Sequence, residues 1–288
     1  MGENYLSETE IKILKEIAGK GMTMSQIGKE IDLSLSTISG SVSHLADLGL
    51  IEIERYGRLR FVKIPGDEIG NKLRSFILGR ENIDCVDLFR GNGLLILVSI
   101  SGNGATINDI RTGTGLSRIT VTKYIKKWRR TGIIWKEGHG GKYSINRNFP
   151  DLRDLLSAYS RYLLSDELRK DLTNPLILFN DGETIIFSFE GPVNDEKYRP
   201  AAYSFLALEG YDVVTDRDYY TYNRSRKDIT DLEALIQAIR IDTLNPRPRK
   251  IFRKLILDEK VNNIDITDLA VRYGVEEIIE DEVKRIER

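Results

Sequence analysis

The sequence predicts an α+β, mainly α chain: two tandem copies of one three-helix unit with a β-hairpin, then a mixed α/β and helical C-terminal domain. Three observations predict it. The chain repeats itself without a gap at a shift of 83 positions, Gly21 onto Gly104. Within each copy apolar residues recur at helical spacing between helix-start and helix-stop residues. After residue 172 the repeat ends, and a hairpin signal gives way to helical periodicity.

The shift carries Thr23 onto Thr106, Ile27 onto Ile110, Leu33 and Ser34 onto Leu116 and Ser117, and Thr37 onto Thr120. It also carries Gly49 onto Gly132, Ile51 onto Ile134, Glu54 onto Glu137 and Gly57 onto Gly140. Apolar positions agree as well: Ile13 with Ile96, Leu14 with Leu97, Ile17 with Ile100, Ile38 with Val121, Val42 with Ile125 and Leu45 with Trp128. A coincidence would not hold one register through helices and loops alike, so two copies of one supersecondary unit are expected.

In the first copy Ser7 and Glu10 make a capping box, and Ile11, Leu14 and Ile17 follow at helical spacing, giving a helix to about Gly19. Thr23 to Ile31 reads as a second helix, Asp32 and Leu33 as a turn, and Ser34 as the cap of a third helix whose Ile38, Val42 and Leu45 face inward. Gly49 stops it. Leu50 to Arg55 and Arg60 to Ile64 read as strands joined by Tyr56, Gly57, Arg58 and Leu59. Behind each hairpin a further helix is marked by Ile69, Leu73 and Phe76, then by Leu152, Leu156 and Tyr159, suited to packing on its own domain or to forming a dimer. The expected domains are 1–83, 84–172 and 173–288.

In the last domain Leu176 to Phe179 and Thr184 to Phe189 read as a hairpin around Asn180, Asp181 and Gly182. Pro200 to Glu209 reads as a helix and Tyr211 to Val214 as a strand. Helices follow near 231–243 and 249–257, set apart by Pro246 and Pro248, with a final pair, Asp265 to Tyr273 and Val275 to Ile286, divided by Gly274. Glu276, Glu277, Glu280, Asp281 and Glu282 make that final pair a poor partner for phosphate.

Leu33-Ser34-Leu35-Ser36-Thr37-Ile38-Ser39 leading to Leu45 and Gly49-Leu50-Ile51, and Leu116-Ser117-Arg118-Ile119-Thr120-Val121-Thr122 leading to Gly132-Ile133-Ile134, resemble the winged helix-turn-helix regulators of the MarR and ArsR groups. The resemblance covers residues 7–64 and 90–147. It implies two tandem winged helix-turn-helix domains and a transcription regulator, a repressor by expectation, with double-stranded DNA as partner. The third helix of such a domain enters the major groove and its hairpin, the wing, lies over the backbone.

Charge separates the copies. Residues 101–150 hold 10 Lys/Arg against 2 Asp/Glu, although the whole chain carries a formal charge of −1. Between Ser117 and Arg130 stand Arg118, Lys123, Lys126, Lys127, Arg129 and Arg130, with no acid. By the resemblance, Arg118, Thr120, Thr122 and Lys123 reach base edges or flanking phosphates, while Lys123, Lys126 and Lys127 neutralise phosphates. A solvated helix face is the plainer account of the lysines, and the helix dipole accounts equally for Arg129 and Arg130. At the second hairpin tip His139 and Lys142 lie on backbone or minor groove, or form an ordinary turn; the glycines there do not make a phosphate loop, since Lys142 leads into a strand. In the first copy Ser36, Ser39 and Arg58 are the candidate contacts. That copy is either the weaker half of a tandem clamp or diverted to dimerisation or support.

Other chemistries have little to stand on. His44 and His139 offer no zinc cluster or triad, and Asp216 with Asp218 has the spacing of a metal-dependent nucleotidyltransferase without its Gly-Ser motif. No enzyme, metal or cofactor is expected. One cysteine, Cys85, allows no internal disulfide and reads as a small core residue. The longest apolar run, Leu94 to Ile100, is far short of the roughly 20 residues that cross a bilayer, and no signal core is present, so a cytoplasmic protein with no membrane partner is expected. For the C-terminal domain a small effector or a protein partner is open. The order of domains weakly resembles AbiEi-type antitoxins, and a protein-interaction scaffold is the alternative to a DNA regulator.

Overall fold

The computed structural model describes residues 5–57, 59–80, 82–102, 104–138, 141–191, 193–215, 217–224, 228–257 and 263–286. It is α+β and mainly helical, with small antiparallel sheets, and divides into two compact units, Met1–Tyr162 and Leu163–Arg288.

The first unit opens with α1 (Glu8–Ile17), whose start is the Ser7 and Glu10 capping box and whose Ile11, Ile13, Leu14 and Ile17 are buried. A two-residue strand, β1 (Met22–Thr23), leads into α2 (Met24–Glu30), where Thr23 and Gln26 form a second box. Ser34 caps α3 (Leu35–Asp47), which buries Ile38, Val42 and Leu45. The strands β2 (Glu52–Tyr56) and β3 (Leu59–Lys63) pair antiparallel, and β1 adds to β3. Then come α4 (Glu68–Gly79) and the short α5 (Cys85–Phe89), which withdraws Cys85 from solvent.

The second copy repeats this order as α6 (Gly93–Ile100), α7 (Ile107–Thr114), α8 (Arg118–Arg130), β4 (Ile134–Lys136) and β5 (Tyr143–Ile145). Thr106 and Asp109 rebuild the box of Thr23 and Gln26, and Ser117 caps α8 as Ser34 caps α3. The hairpins differ. Met22 pairs with Val62, but Ala105, the repeat counterpart of Met22, pairs with Tyr143, which the shift places on Arg60. The second hairpin is therefore two residues tighter, and the loop before α9 (Pro150–Asp171) takes up the difference.

Both copies lie in one unit because the segments after each hairpin pack across them. Gly91 N–H donates to Leu6 O at 2.7 Å, tying the segment between α5 and α6 to the start of α1. Arg80, at the end of α4, grips Asp151 of α9 through two hydrogen bonds of 2.8 Å. The Tyr159 hydroxyl of α9 donates to Leu48 O at 3.2 Å. Ile69, Leu73, Phe76, Leu152, Leu156 and Tyr159 are all buried within the chain.

In the second unit, which begins inside α9, β6 (Leu176–Asn180), β7 (Thr184–Phe189), β8 (Arg199–Pro200) and β9 (Asp218–Asn223) form one sheet in the order β6-β7-β9-β8. Its central strand is buried on both faces: Ile186 packs with Leu206, Leu235, Ile239 and Phe252, whereas Ile185 and Phe187 pack with Leu164, Leu168 and Tyr198. The helices are α10 (Ala202–Leu208), α11 (Asp231–Ile241), α12 (Pro246–Leu257), α13 (Asn263–Tyr273) and α14 (Glu276–Ile286). Two expectations change. Tyr211 to Val214 is not a strand: Val213 N–H turns back to Tyr211 O and Val213 is buried as loop, while the strand is the tyrosine-rich β9. Pro246 and Pro248 do not separate helices; both lie in the first turn of α12, where a missing N–H costs nothing.

Gly49 and Gly132 end α3 and α8 in the left-handed region, at φ +70° and +73°. A β-carbon on Gly132 would meet open space, whereas one on Gly49 would lie 2.3 Å from the Tyr162 hydroxyl. Gly132→Ala is expected to cost about 1–2 kcal/mol from backbone strain alone, and Gly49→Ala clearly more; chemical denaturation of the two variants checks the order. At Asp151 burial pushes the carboxyl up, but Arg80 outweighs it and the net shift is downward. The stability it contributes is present above the unfolded-state value and lost as pH falls through the folded one. Asp151→Asn should therefore be less stable at pH 7, with the gap closing below about pH 4, as melting curves across pH would record.

Candidate functional site

The charge concentrated in residues 101–150 acquires a direction from α8. Val121, Ile125 and Trp128 are buried. At 3.6 residues per turn the opposite side carries Ile119, Lys123, Lys126 and Arg130, at i, i+4, i+7 and i+11. All four are exposed. Arg118, Thr122 and Arg129 flank this stripe on one side. Among the described residues Arg118, Lys123, Lys126, Arg129 and Arg130 have no ion-pair partner. In α3 the corresponding stripe is Ser36, Gly40, Ser43 and Asp47, small residues ending in an acid.

Two expected contacts turn away. The Thr120 hydroxyl shares a 2.9 Å hydrogen bond with Ser117 Oγ and belongs to the helix cap. Lys127 is expected to neutralise a phosphate, but its ammonium pairs with the Asp87 carboxylate and donates to Asp87 O at 2.8 Å. The partner sits on α5, forty residues upstream, where helix-face counting does not reach. His44 holds the same place in α3 and does the same: its Nδ1 is 2.6 Å from Glu10 Oε1 on α1. One position of the third helix in each copy is thus anchored to an upstream acid. Beside Lys127, the Tyr124 hydroxyl donates to Arg90 O at 3.0 Å.

Of the remaining candidates, Ser36 and Lys142 are exposed and Ser39 is half-buried. Arg58, His139 and Asp216 lie outside the described residues, and Asp218 is exposed at the start of β9. Sequence reasoning passed over Ile119, 83% exposed. The signal that could have found it is its place opposite Val121, Ile125 and Trp128. The first copy shows a different surface, with Leu35, Tyr56 and Leu59 exposed around α3 and the hairpin.

The second unit holds a cavity of about 800 Å³ lined by Thr184, Thr221, Glu233, Gln237 and Arg272 among others. Arg272 lines it, with Nε donating to Asp181 at 2.9 Å and Nη1 lying 3.5 Å from Glu233. Burial works against its charge, but Tyr273, Asp181 and Glu233 hold its pKa above the ordinary value. Among the described residues no group of three or more His, Cys, Asp or Glu could hold a metal ion, and no helix is long and apolar enough to cross a membrane. Burial pushes the Cys85 thiol up, which keeps it protonated. In comparison with known proteins, no family model and no curated protein matches the chain.

Because both side chains of the pair between Lys127 and Asp87 are more than a third exposed, Lys127→Ala should lower stability by no more than about 1 kcal/mol. Thermal unfolding checks this.

Proposed function

We propose that the chain is a sequence-specific double-stranded DNA-binding transcription regulator, a repressor, built on two tandem winged helix-turn-helix domains with α8 as the helix that enters the major groove. The reading rests on one observation: the outward stripe and flank of α8 carry five cations without ion-pair partners among the described residues, in a chain of net charge −1. A phosphate surface supplies the missing anions, and release of its counterions supplies affinity. Lys123, Lys126 and Arg130 lie along the backbone and Arg118 near base edges, while Lys142 adds a phosphate contact from the second wing. The first copy is the weaker half of the clamp, with Ser36 and Ser39 as hydroxyl contacts. The cavity of the second unit is where a small effector would act.

A second reading has its own support. Leu35, Tyr56 and Leu59 of the first copy are each more than half exposed, and the stripe between them lacks cations. That surface suits a protein-facing role, so a scaffold or dimer built on the first copy is the alternative.

Binding of the full-length chain to random-sequence duplex DNA across a salt series tests the first reading. Lys123→Ala/Lys126→Ala/Arg130→Ala should flatten the slope of log affinity against log salt by up to about 2.7. Lys127→Ala should leave the slope nearly unchanged, since Asp87 already neutralises that ammonium. No binding by the wild type even at low salt would sink the DNA reading and favour the protein-facing one.

A further inference from the structure

Ile119 is the most exposed of the large hydrophobic side chains found on the surface of the first unit, at 83%. It stands at the N-terminal end of the outward stripe, one turn before Lys123, with Arg118 beside it. Its counterpart in the first copy is Ser36. A β-branched side chain in the first turn of an exposed helix gains nothing from helix propensity, and a face meant only for phosphates has no use for it.

The base edges of the major groove offer donors and acceptors that isoleucine cannot satisfy, together with one apolar feature, the 5-methyl group of thymine. The first turn of a helix inserted in that groove is the part that reaches base edges. We infer that Ile119 is a specificity-determining residue that buries against a thymine methyl, so that the preferred DNA site carries a thymine facing the first turn of α8. The inference rests on the DNA reading above and adds to it the identity of one base. Charge complementarity favours DNA over an apolar protein surface as the occupant: Arg118 is next to Ile119, Lys123 and Lys126 follow one and two turns on along the same face, and a protein partner would have to cover these unpaired cations along with it.

The test begins with a site selected from random duplexes by the full-length chain. Each thymine is then replaced in turn by deoxyuridine, which lacks only the methyl group. One replacement should weaken wild-type binding about fourfold, the worth of one buried methylene-sized group. The same replacement should leave Ile119→Ala unaffected, as a double-mutant cycle requires for a direct contact. The variant's salt slope should match the wild type, because no charge has changed.

Indifference of the wild type to every replacement would overturn the inference and leave the DNA reading standing. So would an equal loss in both proteins, which would assign the methyl to another residue. A change in the sedimentation of the free protein on Ile119→Ala would overturn it in favour of a protein contact. If the full-length chain enriches no sequence at all, the DNA reading itself fails and the inference with it.

Discussion

Val121, Ile125 and Trp128 are almost wholly withdrawn from solvent, at 0%, 2% and 0% exposure, and their burial fixes which way α8 faces. Each such side chain contributes roughly 1.5–3 kcal/mol when taken out of water. Turning the helix by one residue, about 100°, would bring an indole to the surface and drive lysines toward the interior. Neither is tolerable, so the stripe of Ile119, Lys123, Lys126 and Arg130 has a single orientation. Trp128 stands where the first copy has Leu45 at some cost, because among the described residues its buried indole N–H has no hydrogen-bond partner. The larger apolar surface of the ring offsets that cost.

The two copies share this frame and little of what it presents. Caps, buried triads and the left-handed glycines after α3 and α8 recur at one shift, while the stripe changes from Ser36, Gly40, Ser43 and Asp47 to one apolar residue and three cations. Even the anchor is kept with altered chemistry, a histidine on Glu10 in one copy and a lysine on Asp87 in the other. The frame tolerates substitution outside because its stability comes from the inside. It tolerates a two-residue slip of the hairpin for the same reason: Tyr143 and Ile145 still bury their side chains as Val62 and Ile64 do.

Local pattern made much of this legible. A capping box is formed by residues three apart, so Ser7 with Glu10 could be read directly, and the inward triads follow from helical period. Contacts made at long range could not be read so. Asp87 is invisible to a count along α8, and the tightened second hairpin is masked by a compensating loop that keeps the sequence in step. In the second unit the tyrosines of β9 face two different cores, Tyr219 one way and Tyr220 and Tyr222 the other, which leaves no apolar alternation to mark a strand. Glu282 reads in the sequence as one of five acids on the final helix; it is 1% exposed, with Arg253 at 3.1 Å and Arg285 at 3.2 Å.

That last arrangement sharpens the meaning of α8. Several cations elsewhere are paired with acids: Arg80 with Asp151, Arg161 with Glu68, Lys63 with Glu54, Arg272 with Asp181. On α8 six cations share thirteen residues of helix with no acid among them, and five of the six have no ion-pair partner among the described residues. Lys126 and Arg130 are one turn apart, where like charges repel by a few tenths of a kcal/mol per pair. Such a helix is less stable than one laced with glutamates. Among the described residues no acid pairs with these five, whereas Lys127 is held by Asp87. Five cations without ion-pair partners among the described residues, gathered on the outward stripe and flank of one helix that holds no acid, are the feature on which the proposed DNA reading rests.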